Sequence, residues 1–70
     1  MSEKGLKTLK EELTEEREEL NGKINRLRAF IKNDEFFSAI DPRQQELLIE
    51  QDKVMEMYLN ILDRRISLLS

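Results

Sequence analysis

The 70-residue chain contains no cysteine and no histidine, one proline and two glycines. Without cysteine it forms no disulfide bond, and without cysteine or histidine it has no ordinary zinc site. A di-iron bundle site is also disfavoured, since it needs Glu-x-x-His pairs. Gly5 and Gly22 are too isolated to build a glycine-rich phosphate loop. These absences favour a protein that is not an enzyme and that uses no cofactor or metal.

Long apolar runs are also missing. The N-terminal stretch MSEKGLKTLKEEL lacks the apolar core of a signal peptide, and no window approaches the roughly 18 apolar residues of a transmembrane span. The net charge is −3, and the basic residues are dispersed among acidic ones. This balance disfavours general nucleic-acid binding and docking on an anionic membrane. Because neither a signal peptide nor a spanning segment is evident, we expect a cytoplasmic protein.

The first half of the chain has the pattern of one long amphipathic helix. Leucine recurs every seven residues, at Leu6, Leu13, Leu20 and Leu27. Such a repeat is the apolar stripe of a helix close to a coiled-coil seam. Acidic residues crowd the early turns and basic residues the late ones, which complements the helix dipole. We predict a helix from about residue 3 to residue 33.

The second half begins with a clear helix start and carries a wider apolar face. Asp41 is a strong N-cap, Pro42 suits the first helical position, and Gln44 stands where a capping box needs Glu or Gln. Two adjacent seven-residue rows follow, namely Leu48, Met55, Leu62 and Leu69, and Leu47, Val54, Ile61 and Leu68. We predict a helix from about residue 42 to residue 68.

Residues 34–41 separate the two helices and predict the corner of a hairpin. The segment is long enough for one short helical turn. Phe36 or Phe37, together with Phe30 and Ile40, is expected to fill the end of the hairpin core; the alternative is an exposed aromatic contact for a partner protein. The expected fold is all-α, with residues 1–70 forming a single antiparallel two-helix hairpin.

A hairpin of this kind leaves apolar surface uncovered. The single stripe of the first helix is too narrow for the two rows of the second, and exposed apolar patches of this size usually mark an interface. The simplest way to cover this apolar surface is a homo-oligomer that forms a helical bundle. The number of subunits stays open. The expected interface residues are Leu48, Val54, Met55, Ile61, Leu62 and Leu69.

Three polar or aromatic residues within these stripes form the candidate ligand site. Arg17 stands four residues after Leu13, where the pattern requires an apolar side chain, and Arg65 lies seven residues after Tyr58. One interpretation is structural: the arginines pair with Glu16, Glu12 or Asp63, or they set the register of the assembly. The other is a pocket between subunits, in which Arg17 and Arg65 bind an anion and Tyr58 stacks on a base.

The segment from about residue 20 to residue 69 resembles a family of very small bacteriophage proteins related to a crAss-like phage protein. The shared pattern is a helix ending in Leu-x-x-Phe-Ile, a short loop with Phe, a Gln-x-x-Leu-Leu-x-x-Gln stretch and a Met-x-x-Tyr-x-x-Ile-Leu-x-x-Arg-Ile stretch. In this chain the pattern falls on Leu27, Phe30, Ile31, Phe36 or Phe37, Gln44, Leu47, Leu48, Gln51, Met55, Tyr58, Ile61, Leu62, Arg65 and Ile66. The resemblance transfers no functional residue.

In architecture the predicted hairpin is also similar to phage sponge proteins that oppose CBASS and Thoeris immunity by sequestering cyclic nucleotides between subunits. This similarity implies a small phage anti-defence protein in the host cell cytoplasm that oligomerises and sequesters an immune-signalling nucleotide. Two other hypotheses stay open. The chain could inhibit or adapt a host defence or transcription complex by binding protein, through Phe37 or the acidic face of the first helix, or it could serve in phage assembly.

Overall fold

The structure is a computed structural model that describes residues 7–69. It contains three helices: α1 spans Leu9–Lys32, α2 spans Asp34–Phe37 and α3 spans Pro42–Ser67. The two long helices pack along each other, and they are antiparallel because an early residue of α1, Arg17, faces the late residue Asp63 of α3. The predicted all-α fold with a packed pair of long helices is confirmed.

The first helix begins later than its sequence pattern predicts. Residues 3–6 lie outside the described part of the chain, but Lys7 and Thr8 precede the helix. Thr8 is extended and forms a capping box: its hydroxyl accepts from the backbone N–H of Glu11 at 3.1 Å, and its own N–H donates to the Glu11 carboxylate at 3.0 Å. Because this exchange satisfies amides that a helix leaves unpaired at its start, it fixes the beginning of α1 at Leu9.

Two polar side chains set the corner. Asn33 ends α1 and caps α2, accepting from the N–H of Phe36 at 3.4 Å. Asp41 caps α3 by accepting from the N–H of Arg43 at 2.8 Å, and the hydrogen bonds from the Arg43 side chain and backbone lower the pKa of its carboxyl group. In residues 7–69 no side-chain hydrogen bond of Gln44 completes the predicted capping box. Instead, the side-chain amide of Gln45 ties the corner to α3 by donating to the carbonyl groups of Phe37 and Ile40, at 2.8 and 3.2 Å.

The aromatic residues of the corner divide between core and solvent. Phe37 is half-buried and packs edge-on against Phe30, with ring centroids 6.3 Å apart and planes at 78°. Phe36 is 57% exposed. The end of the hairpin core is therefore filled by Phe37, and the hypothesis of an exposed Phe37 is wrong; the solvent-facing ring is that of Phe36.

The hairpin core is small and lies along the α1–α3 contact. Its buried members are Leu13, Leu20, Ile24, Leu59 and Leu62, with Met55 and Ile66 packed against them. Leu62 is completely buried, so its predicted place in the oligomer interface is corrected: it faces α1 within the same subunit. Leu59 is also part of this core, because it stands four residues after Met55 and three before Leu62 and so completes the spacing of one helix face.

Candidate functional site

The third helix carries two parallel seams, each with the alternating four- and three-residue spacing of a coiled coil. The inner seam consists of Leu48, Asp52, Met55, Leu59, Leu62 and Ile66, and it packs on α1. The outer seam consists of Leu47, Gln51, Val54, Tyr58, Ile61, Arg65 and Leu68. Since each outer residue except Leu68 precedes an inner one by a single position, the outer seam is turned by about 100° around the helix axis.

The outer seam is solvent-exposed along its whole length. Val54 is 59% exposed, Tyr58 41% and Ile61 44%, while Leu47 and Leu68 at its two ends are exposed by 56% and 86%. A row of exposed apolar residues as long as this one, interrupted only by Gln51 and Arg65, is typical of a binding surface. Of the predicted interface residues, Val54 and Ile61 lie on this seam, whereas Leu48 and Met55 lie half-buried on the inner one.

Arg17, the first predicted site residue, is occupied in a structural ion pair. Its Nε donates to Oδ1 of Asp63 at 2.6 Å, and the two side chains are 36% and 44% exposed. The hydrogen bond and the negative charge of Asp63 both raise the pKa of the Arg17 guanidinium. Asp63 is one of the partners that the structural interpretation of this arginine predicts, so α1 and α3 are joined here by opposite charges at the edge of the core.

Tyr58 and Arg65, the other two predicted site residues, share the outer seam. They are seven residues apart, which is two helical turns or roughly 10 Å along the axis, and both are exposed. No ion pair found in residues 7–69 includes Arg65. Arg65 is two positions beyond Asp63 and therefore points to a different side of α3 from the Arg17 pair. One subunit thus brings Tyr58 and Arg65 together but leaves Arg17 apart from them.

A second interhelical charge cluster involves Arg28, which the sequence pattern does not single out. Its Nε donates to Asp52 at 2.7 Å, and its Nη2 donates to Glu56. These hydrogen bonds, that to Glu56 foremost, raise the pKa of Arg28. The sequence feature that could have identified this cluster is Asp52, a carboxylate in the inner seam that needs a cation on α1. Because basic residues are generally frequent toward the end of α1, Arg28 does not stand out among them.

A groove lies at the first turns of α1, away from the outer seam. Its lining residues are Thr8, Lys10, Glu11, Thr14 and Glu15. It contains none of the three predicted ligand residues, and its two carboxylates make it a poor place for an anion. In the described residues 7–69, no group of three or more potential metal-binding side chains occurs. No helix of that part is long and apolar enough to cross a membrane.

Comparison with known proteins identifies one family. The family model described as Sequestin matches residues 7–68. No curated protein and no solved structure matches the chain. Because the match runs from the residue before the capping threonine to the last residue of the outer seam, and so covers α1, α2 and α3 together, the chain belongs to the Sequestin family.

Proposed function

We propose that this chain is a non-catalytic phage anti-defence protein that oligomerises and sequesters a host immune-signalling nucleotide. The family name denotes sequestration, which is a binding role. The observation that carries the proposal is the combination of Tyr58 and Arg65 on an otherwise apolar, exposed helix face. Arg65 has no ion-pair partner among residues 7–69, and such an arginine suits a phosphate, while an aromatic ring two turns away suits a nucleobase.

The proposed site lies on the outer seam and is completed by a neighbouring subunit. A two-helix hairpin has too little interior to enclose a nucleotide, whereas a seam shared by two subunits can exclude water from one. Tyr58 and Arg65 come from the same helix. Arg17 joins such a site only from another subunit, because its Nε is bonded to Asp63 on a different side of the hairpin.

Calorimetric titration with cyclic dinucleotides, cyclic trinucleotides and cyclic ADP-ribose isomers tests the proposal. We expect saturable binding of at least one of them by the unmodified protein. Arg65→Ala and Tyr58→Ala should each weaken that binding at least tenfold while helicity is unchanged. Lys53→Ala is the matched control, since Lys53 is an exposed cation of α3 outside the outer seam. Absence of binding for every nucleotide, or equal loss in the Lys53 variant, would contradict the proposed site.

A protein-binding role is the second candidate, favoured by the exposed ring of Phe36. This ring is 57% exposed at the corner, beside the capped start of α2, and exposed aromatic rings are frequent energetic centres of protein interfaces. An inhibitor or adaptor of a host defence complex would use this end of the hairpin. Recovery of a defined host protein by the unmodified chain and its loss with Phe36→Ala, without any nucleotide binding, would favour this candidate.

A further inference from the structure

The outer seam has the features of a surface that binds a second copy of itself. It extends from Leu47 to Leu68, which is about 33 Å of helix. Its four- and three-residue spacing is that of the inner seam, which already packs on a helix in this fold. We infer that α3 pairs antiparallel with α3 of a second subunit along the outer seam. The inference rests on the proposed oligomeric binding function and adds the orientation and register of the pair.

The charges beside the outer seam complement each other in this arrangement. Glu50, Met57 and Arg64 follow one another at seven-residue intervals along the edge that faces away from α1. Both charged residues are exposed, and neither takes part in an ion pair in residues 7–69. When two such helices run antiparallel with Met57 at the centre, Glu50 of each faces the partner's Arg64. The register therefore forms the same pair twice.

A parallel arrangement lacks this match. It would set Arg65 beside the partner's Arg65 and Gln51 beside the partner's Gln51 within the seam. Glu50 and Arg64 would then face apolar positions of the partner helix, where they find no opposite charge. Like charges at one level of a coiled coil are repulsive, and charged flanking positions decide helix orientation. Both considerations favour the antiparallel pair.

The register also determines where the ligand residues lie. Tyr58 is one residue from the centre, so the two tyrosines come close to each other near Val54 of the opposite helix. Arg65 lies near the partner's Leu47, and the two Arg65 side chains are about 24 Å apart along the axis. One small nucleotide cannot bridge them. The pair therefore provides two separate anion sites, one per subunit, each near an end of the seam.

Single-cysteine variants test the register directly, because the natural chain contains no cysteine. Glu50→Cys, Met57→Cys and Arg64→Cys are treated with a short bismaleimide. Met57→Cys should cross-link to itself, and a mixture of Glu50→Cys with Arg64→Cys should give a cross-linked heterodimer. Glu50→Cys alone and Arg64→Cys alone are the matched controls, since in the antiparallel pair each cysteine lies about 21 Å from its own copy. Efficient self-cross-linking of these two controls would overturn the antiparallel pair.

Charge reversal gives a measurement without cross-linking. Glu50→Arg and Arg64→Glu should each raise the dissociation constant of the dimer roughly 2- to 25-fold, since each alters two exposed pairs. The double variant should recover the original value, and a double variant weaker than both single ones would overturn the register. Cross-links in the expected pattern without nucleotide binding would contradict only the proposed function. Nucleotide binding without those cross-links would contradict only the inferred pair.

Discussion

At the scale of single residues, the two interhelical arginines differ from Arg65 in what they already bind. Arg17 and Arg28 are held by carboxylates of α3, at Asp63 and at Asp52 with Glu56. Arg65 has no such partner in the described residues. The sequence alone identifies Arg17 and Arg65 as unusual, because both interrupt apolar rows, but it does not separate them. Their separation depends on the rotation of α3, which sets Asp63 toward α1 and Arg65 away from it.

Arg17→Ala should lower the stability of the hairpin without directly weakening association or ligand binding at the outer seam. The substitution removes the hydrogen bond and the charge attraction that join α1 to Asp63. A double-mutant cycle with Asp63→Ala, measured by urea denaturation, should show coupling: the double variant loses less than the sum of the single losses. The coupling should shrink as salt is added, because both side chains are partly exposed. Strictly additive losses would show that the pair contributes nothing.

At the scale of the helices, the start of α3 can be predicted from the sequence more accurately than the start of α1, although capping side chains determine both. Asp41 and Pro42 form a strong start signal, and α3 begins at Pro42 as their order predicts. The start of α1 carries an equivalent signal, a threonine three residues before a glutamate. Because the acidic and basic residues that precede this threonine have high helix propensity, a prediction based on periodicity extends the helix past the cap. A capping box outweighs propensity, since it satisfies backbone groups directly.

Thr8→Ala should test this cap. Loss of the hydroxyl that accepts from Glu11 is expected to reduce the free energy of unfolding by about 1 kcal/mol and to fray the first turn of α1. Thr14→Ala is the control: its hydroxyl donates to the Lys10 carbonyl group inside the helix, and that local bond contributes little to helix stability. Urea denaturation followed by circular dichroism measures both. Equal losses for the two threonines would mean that Thr8 does not act as a cap.

At the scale of the whole molecule, the hairpin presents two adjacent faces of α3, of which it covers one. Seven-residue periodicity predicts both rows, but it does not show which row faces α1. The structure shows which row faces α1, because Leu59 and Leu62 complete a buried face with Met55 and Ile66. This leaves Val54 and Ile61 outside. The hairpin and its surplus apolar surface are thus predictable from the sequence, whereas the assignment of Leu62 to the core is not.

Two neighbouring residues separate folding from association. Leu62→Ala should cost about 2–5 kcal/mol, because it opens a cavity in a core with few members, and the small chain is expected to lose most of its helicity. Ile61→Ala, one position away and 44% exposed, should leave the hairpin folded and weaken only the oligomer. Circular dichroism with sedimentation velocity distinguishes the two effects. If Ile61→Ala unfolds the chain at any concentration while Leu62→Ala is tolerated, the assignment of the inner and outer seams is wrong.

The mass of the protein in solution tests the role of the outer seam most directly. Multi-angle light scattering at micromolar concentration should give a multiple of the mass of one 70-residue chain. The double variant Val54→Glu, Ile61→Glu should run as a helical monomer, since it places charge in the middle of the outer seam. Ile49→Glu, at an exposed position of α3 outside that seam, should keep the mass of the unmodified protein. A monomeric unmodified protein, or an undiminished mass for the double variant, would contradict self-association through the outer seam.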